Sequence, residues 1–243
     1  MSDITIGVQS YTYRDFSAVD AVKQAASVGL RAIEMWPKHI NYQSGPQEIE
    51  QFEQALQDHR IWMCGYGVCG LEALADDMDP TFEFAAQMGA DYISINCGRD
   101  NHDIAVQAIQ IALKYDLKLG IHNHGPGANF ETAEQVLQFC QGKDELLGAC
   151  IDTGHFMRSD QMPDHVIPVL GSRINSMHLK DFISAEEEVM PGTGRLDFAR
   201  VLDLLKTHAG YEGAYVIEYE ADPADPSPAI RQTLDVLTKA LEG

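Results

Sequence analysis

The stretches Lys118-Leu-Gly-Ile-His-Asn-His124 and, about thirty residues on, Ala149-Cys-Ile-Asp-Thr-Gly-His155 are short apolar runs that end in His, Asp or both. Downstream the pattern repeats in Ile174-Asn-Ser-Met-His178-Leu-Lys180-Asp181 and Tyr215-Val-Ile-Glu218-Tyr-Glu220. Upstream, four apolar runs have the same spacing without a terminal cluster of His, Asp or Glu. β-Branched and aromatic enrichment bounded by Gly, Asp and Asn predicts strands over Ile4–Ser10, Ala32–Trp36, Met63–Val68, Tyr92–Cys97, Lys118–Asn123, Ala149–Asp152, Ile174–Lys180 and Tyr215–Tyr219. Amphipathic stretches predict helices between and after them: Phe16–Val28, Pro46–Asp58, Pro80–Met88, Asp103–Tyr115, Ala133–Gln141, Pro163–Leu170, Asp197–His208 and Ala229–Leu241. Strict strand–helix alternation calls for a parallel sheet, and eight repeats favour closure into a single (β/α)8 TIM barrel over residues 1–243. A doubly wound nucleotide fold is disfavoured, because Ser10-Tyr11-Thr12-Tyr13-Arg14 stands where a G-x-G-x-x-G turn would follow the first strand.

In such a barrel, groups at the carboxyl ends of the strands face one site. His122 and His124 are two apart, so both side chains leave the same side of the strand; the same parity pairs His178 with Lys180 and Glu218 with Glu220. Asp152 follows the apolar Ala149-Cys150-Ile151 and precedes a turn expected at Gly154, a place where a carboxylate is costly unless paired or coordinated. Mixed imidazole and carboxylate donors suit a divalent metal ion, Mn, Mg, Co, Fe or Zn, better than a thiolate site would. A lone buried His is ordinarily a hydrogen-bonded core residue; it is the placement of such groups on four successive strands that argues for a shared centre. Asp181 and Glu220 read as solvated loop carboxylates, Glu186–Glu188 as a short acidic loop, and Asp222–Pro228 as the loop after the last strand.

The 243 residues, 45% of them apolar, suffice for one sizeable core and leave no room for a second full domain. A formal charge of -20 argues against nucleic acid and against an anionic membrane surface as partners. Five cysteines without a Cys-x-x-Cys pair read as reduced, structural thiols. Residues 1–10 carry no basic or long apolar signal region, and no run reaches membrane-span length, so a cytoplasmic protein is expected. A homo-oligomer is left open.

Two readings of His122-Asn123-His124 fail on context. An HNH nuclease requires a ββα motif and a basic DNA-facing surface. The amidohydrolases carry their His-x-His pair on the first strand with an Asp on the last, whereas here the pair is on the fifth and Glu is last.

Taken together, Ile4-Thr-Ile-Gly-Val-Gln-Ser10, Ala32-Ile-Glu34, Asp152-Thr-Gly-His155, His178-Leu-Lys-Asp181, Pro191-Gly-Thr-Gly-Arg195-Leu-Asp197 and Tyr215-Val-Ile-Glu218 resemble the xylose-isomerase-like barrels over nearly the whole chain. That superfamily includes sugar phosphate isomerases/epimerases, ketose 3-epimerases, inosose and 3-dehydroshikimate dehydratases, 3-keto-glycoside lyases and DNA repair enzymes of the endonuclease IV type. The resemblance implies that Asp152, His178 and Glu218 bind the metal, that His155 touches substrate, that Lys180 and Arg195 line the pocket, and that Glu34 faces the same cavity. Many epimerases have Glu-Asn-His where this chain has His122-Asn123-His124. Either His122 replaces that glutamate as a ligand, or the metal keeps three protein ligands and adds water.

The chemistry implied by the resemblance is proton abstraction next to a carbonyl, through an enediolate, with the metal as Lewis acid. His124 is nominated as the base, with His155 or Glu34 as its partner. The expected function is a metal-dependent isomerase or epimerase of a keto-sugar or sugar phosphate. Loss of a β-hydroxyl or glycosidic oxygen from the same intermediate would make it a dehydratase or lyase. A nuclease would need more metal ligands than the chain supplies, and a non-catalytic sugar-binding barrel would have no need of the metal set. Arg14, Arg99, Arg158 and Arg195 lie near carboxyl-face loops, but without a Gly-rich phosphate cradle both free and phosphorylated sugars stay open.

Overall fold

Each of the eight expected apolar runs forms a strand, and neighbouring strands pair in parallel until the sheet closes on itself. The structure is a computed structural model and describes residues 4–242. Its strands are β1 (Ile6–Gln9), β2 (Ala32–Met35), β3 (Trp62–Gly70), β4 (Tyr92–Asn96), β5 (Lys118–His122), β6 (Leu147–Asp152), β7 (Ile174–Leu179), β8 (Asp181–Phe182), β9 (Glu188–Val189) and β10 (Tyr215–Ile217). β1 pairs with β2 on one side and β10 on the other, and β10 pairs with β7, which closes a parallel eight-stranded barrel. β8 and β9 form a separate antiparallel hairpin after β7.

The helices are α1 (Ala18–Ser27), α2 (Pro46–His59), α3 (Leu71–Leu74), α4 (Met78–Gln87), α5 (His102–Tyr115), α6 (Ala133–Cys140), α7 (Thr153–Arg158), α8 (Pro163–Leu170), α9 (Phe198–Leu204) and α10 (Ser227–Glu242). Local chemistry starts several of them. Ser17 accepts from Asp20 N to cap α1, and Thr132 with Gln135 forms a capping box on α6. Their apolar stripes bury Val22, Ala25, Phe52, Ala108, Val136 and Ile167 against the outer faces of the strands. Inside the barrel, a second buried cluster of Ala32, Cys64, Tyr92, Ala214 and Val216 fills the amino end. The interior is thus a packed plug below and a polar chamber above.

Three features depart from the expectations. Thr153–Arg158 is helical, because Asp152 accepts a hydrogen bond from His155 N at 2.7 Å and caps a turn that Gly154 made look like a break. The stretch around Glu186–Glu188 is not wholly loop: Glu188 belongs to β9. Asp222–Pro228 ends inside a helix, with Ser227 and Pro228 in the first turn of α10, where Pro is tolerated. All five cysteines are free and buried, and burial pushes each thiol pKa up, so none is poised as a nucleophile. Among the described residues no helix is long and apolar enough to cross a membrane.

Candidate functional site

Four side chains from β5, β6, β7 and the end of β10 converge in the chamber. One donor atom from each of His122, Asp152, His178 and Glu218 lies within 4.8 Å of every other, and all four residues are buried. His122 Nε2 is 3.0 Å from His178 Nδ1 and 3.8 Å from Asp152 Oδ2, while His178 Nδ1 is 2.7 Å from Glu218 Oε2. Backbone register brings them there: Asp152 stands beside His178 and His178 beside Val216. Asn123, which points the other way from His122, ties the two strand ends together. Its amide donates to Asp152 O at 3.0 Å and accepts from Asp152 N at 2.7 Å.

Glu34 holds the cluster from within the barrel. It is fully buried, and its carboxylate faces His178 Nε2 at 2.8 Å while accepting from Tyr92 Oη at 2.6 Å, Gln9 Nε2 at 3.1 Å and the Ser94 hydroxyl. Tyr92 and Ser94 reach it by passing Gly65 and Gly67 of β3, where any Cβ would overlap them. With all its contacts in the barrel interior, Glu34 orients His178; the arrangement does not place it beside His124 as a proton partner. A carboxylate at Nε2 leaves Nδ1 facing the other three donors, the arrangement found behind metal-bound imidazoles. Gln9, Tyr92 and Ser94 carried no sequence signal, because strand pairing sets Gln9 of β1 opposite Glu34 and only the folded sheet brings β4 across β3 to it.

The charges are strongly coupled. Burial alone would depress the His178 imidazolium, but Cys150, Glu34 and Glu218 reverse that and hold its pKa well above the ordinary value. Glu218 goes the other way: burial would raise it, yet Lys180, His178 and His122 hold it well below the usual carboxylate range. Burial pushes Asp152 up to about 6, with Lys180 opposing and Glu218 reinforcing. His122 is kept neutral by burial and by the neighbouring His178 and His124.

Lys180 is 1% exposed, with Nζ 3.4 Å from Glu218 Oε1 and ion-paired to Glu220. Glu220 is therefore a partner of the buried lysine and no solvated loop carboxylate. Its backbone N–H donates to Glu188 Oε1 at 2.8 Å, which brings the β8–β9 hairpin against the same group of charges. Asp181 departs further from the expectation. It is fully buried, and its two oxygens accept from the backbone N–H of Phe182, Gly192, Gly194, Arg195 and Leu196. The Pro191–Leu196 motif is folded around this one carboxylate.

His124 and His155 form the half-buried rim. Their ring centroids are 5.3 Å apart, and His124 is 4.7 Å from His122. Burial lowers both pKa values, His155 to about 4 with help from Lys180 and Arg158. Among the described residues, neither ring nitrogen of His124 has a hydrogen-bond partner. Arg195 does not line the chamber as expected: it is exposed, with its guanidinium 3.5 Å from Met157 O and 3.3 Å from Met162 Sδ. The arginine at the rim is Arg158, whose Nη1 lies 3.1 Å from His155 Nδ1.

The donor set fits a divalent cation. Bond lengths of about 2.0–2.2 Å place ligand atoms about 3–4.4 Å apart, close to the separations here. Asp152 Oδ2 is buried without a hydrogen-bond partner, and Glu218 Oε2 meets only His178 Nδ1, at 2.7 Å; a cation between the two carboxylates would relieve the cost of burying them.

An eight-stranded α/β barrel with an imidazole–carboxylate cluster at its carboxyl face defines a class of protein. Its family follows: the sequence model of the xylose isomerase-like TIM barrel matches residues 22–240, and the chain belongs to that family. It is 31% identical to the inosose dehydratase of Lactiplantibacillus plantarum over 138 residues, 49% of this chain and 45% of that protein. The chain thus matches less than half the length of that relative. In fold it is similar to a solved structure of the IolI protein with a bound zinc atom (TM-score 0.79, 16% identity, 98% of this chain and 99% of that one). It is also similar to D-psicose 3-epimerase from Clostridium cellulolyticum, solved with D-tagatose (TM-score 0.80, 12% identity, 98% and 99%).

Proposed function

We propose that this protein is a metal-dependent enzyme that removes a proton next to the carbonyl of a small polyhydroxylated substrate, and that it isomerises or epimerises a keto-sugar, free or phosphorylated, through an enediolate. The observation that carries the reading is the buried set His122, Asp152, His178 and Glu218, with Asp152 Oδ2 left without a hydrogen-bond partner, under a rim of two half-buried imidazoles. These four residues would hold the metal, with His122 as the fourth ligand. When bound, a divalent ion polarises a carbonyl and stabilises charge developing on its oxygen.

The chain's own groups do the rest. Glu34 fixes His178 with Nδ1 toward the cluster. Lys180, held between Glu218 and Glu220, keeps a fixed positive charge beside the site, and the surrounding carboxylates keep it protonated. His124, neutral and without a protein partner, accepts the substrate proton. His155 sits across the rim, within reach of a substrate oxygen.

Loss of water from the same intermediate is the second reading, supported by the likeness to inosose dehydratases over about half the chain. A phosphodiester substrate is disfavoured by the net charge of -20.

The test pairs elemental analysis of the protein and its Asp152→Ala variant with ¹H NMR in D₂O on a panel of free and phosphorylated keto-sugars and inososes. Stoichiometric metal lost in the variant, with metal-dependent deuterium entry next to a carbonyl, is the expected result. A changed configuration or carbonyl position then marks the isomerase, and an alkene or dicarbonyl product marks the dehydratase. No metal uptake by the unaltered protein would refute the reading.

A further inference from the structure

Arg158 lies one turn beyond His155 on α7, and its guanidinium is held on several sides. Nε donates to Ala185 O at 2.8 Å, in the loop of the β8–β9 hairpin, and Cζ lies 5.4 Å from the centre of the Phe182 ring. Behind it runs the backbone of Gly125, the residue after His124. A Cβ on Gly125 would stand 3.1 Å from Cζ and from Nη1, so the glycine makes room for the guanidinium. The remaining contact is Nη1 to His155 Nδ1 at 3.1 Å.

That contact has only one polarity. A guanidinium carries donors and no acceptor and keeps its charge at any working pH, so Nη1–H donates and Nδ1 accepts. The single proton of the neutral ring therefore sits on Nε2. Turning the ring over would set a C–H against the guanidinium and lose the bond, and protonating Nδ1 would set N–H against N–H.

We propose that Arg158 is a positioning residue that locks His155 as the neutral Nε2–H tautomer, so that His155 serves as a hydrogen-bond donor to a substrate oxygen and not as a base. The meaning of this assignment rests on the enolising reading above. It divides the rim: His124, with no protein partner, takes the proton, and His155 steadies an oxygen. His155 cannot supply the proton that returns to carbon, because giving up Nε2–H would require Nδ1 to gain a proton in the face of the guanidinium. The proton returned to carbon comes from His124 or from solvent.

Ring-¹⁵N-labelled histidine in the full chain, read by long-range ¹H–¹⁵N correlation at a single pH near 7.5, tests this directly, with His155 assigned by its loss in His155→Gln. The expected spectrum shows an unprotonated Nδ1 and a protonated Nε2. Arg158→Met should mix the tautomers and lower the deuterium-exchange rate by about 10–100-fold, the scale of losing an orienting partner. Arg158→Lys, whose ammonium also only donates, should keep the tautomer and recover part of the rate. Gly125→Ala displaces the guanidinium without deleting it and should mix the tautomers too, which covers the case of an unfolded Arg158→Met. A protonated Nδ1 in the unaltered protein, or an unchanged His155 spectrum in folded Arg158→Met, would overturn the proposal. A correct tautomer with no exchange on any substrate would overturn the enolising reading and leave the lock standing.

Discussion

Replacing Asp181 by Asn should release the Pro191–Leu196 loop although the two side chains have nearly the same shape. Oδ1 accepts from Phe182 N at 2.9 Å, Arg195 N at 2.9 Å and Leu196 N at 3.0 Å; Oδ2 accepts from Gly192 N at 3.0 Å and Gly194 N at 2.8 Å. An asparagine can keep only one of these acceptors. If its oxygen takes the three-donor side, its NH₂ faces the N–H groups of Gly192 and Gly194, and two bonds to a charged group are lost. At about 1.5–3 kcal/mol each, the loss is about 3–6 kcal/mol. Asp181 itself is fully buried, so water does not replace the two lost bonds on the carboxylate side. Converted at about 1.4 kcal/mol per factor of ten, the Gly192 and Gly194 amides should exchange with solvent at least about a hundredfold faster. Amide hydrogen exchange followed by NMR reads this residue by residue, with the amides of β4 and β5 as internal controls. A change of less than tenfold at Gly192 and Gly194 would refute the claim that one carboxylate organises the loop.

Two other perturbations probe the charges. Glu34→Gln replaces the carboxylate behind His178 and should weaken divalent-metal affinity by about 10–100-fold in a chelator competition; unchanged affinity would remove Glu34 from its orienting role. Burial pushes the Glu188 pKa up to about 7, with Lys180 opposing and Glu220 and Glu218 adding to the rise. A carboxyl whose folded value exceeds its ordinary one binds more protons in the folded state, so its contribution to stability falls as pH rises from about 4.5 through 7. Glu188→Gln keeps an acceptor for Glu220 N and removes that penalty. The Tm values of the two proteins should therefore nearly coincide at pH 5 and separate above pH 7, with the variant the more stable; a gap that does not change with pH would count against the assignment.

Much of the architecture was legible because strands and helices announce themselves locally. Eight apolar runs and the helical stretches between them lie where periodicity places them, since burial of one face is a property of consecutive residues. The edge of Asp152-Thr-Gly-His155 escapes a local reading: Gly154 suggests a turn, while the cap that makes α7 helical is a side chain-to-backbone bond three residues long. The β8–β9 hairpin was missed because two-residue strands carry too little pattern to read.

The clustering of His122, Asp152, His178 and Glu218 was also readable, because parity and position at a strand end dictate where a side chain goes in a parallel barrel. What each charged residue touches was not. Asp181 and Lys180 are two positions of one motif, yet one binds five backbone amides and the other two carboxylates. Arg195, within a recognisable motif, turns outward, and Arg158 takes the place beside His155. Glu34 meets donors from β1, β4 and β7 that lie 25 to 144 residues away. Sequence alone determines the fold and the donor types at its carboxyl face, because both follow from local periodicity; the pairing of long charged side chains is decided only by the closed barrel, because electrostatic partners are chosen by distance in space and burial leaves each charge little else to bind.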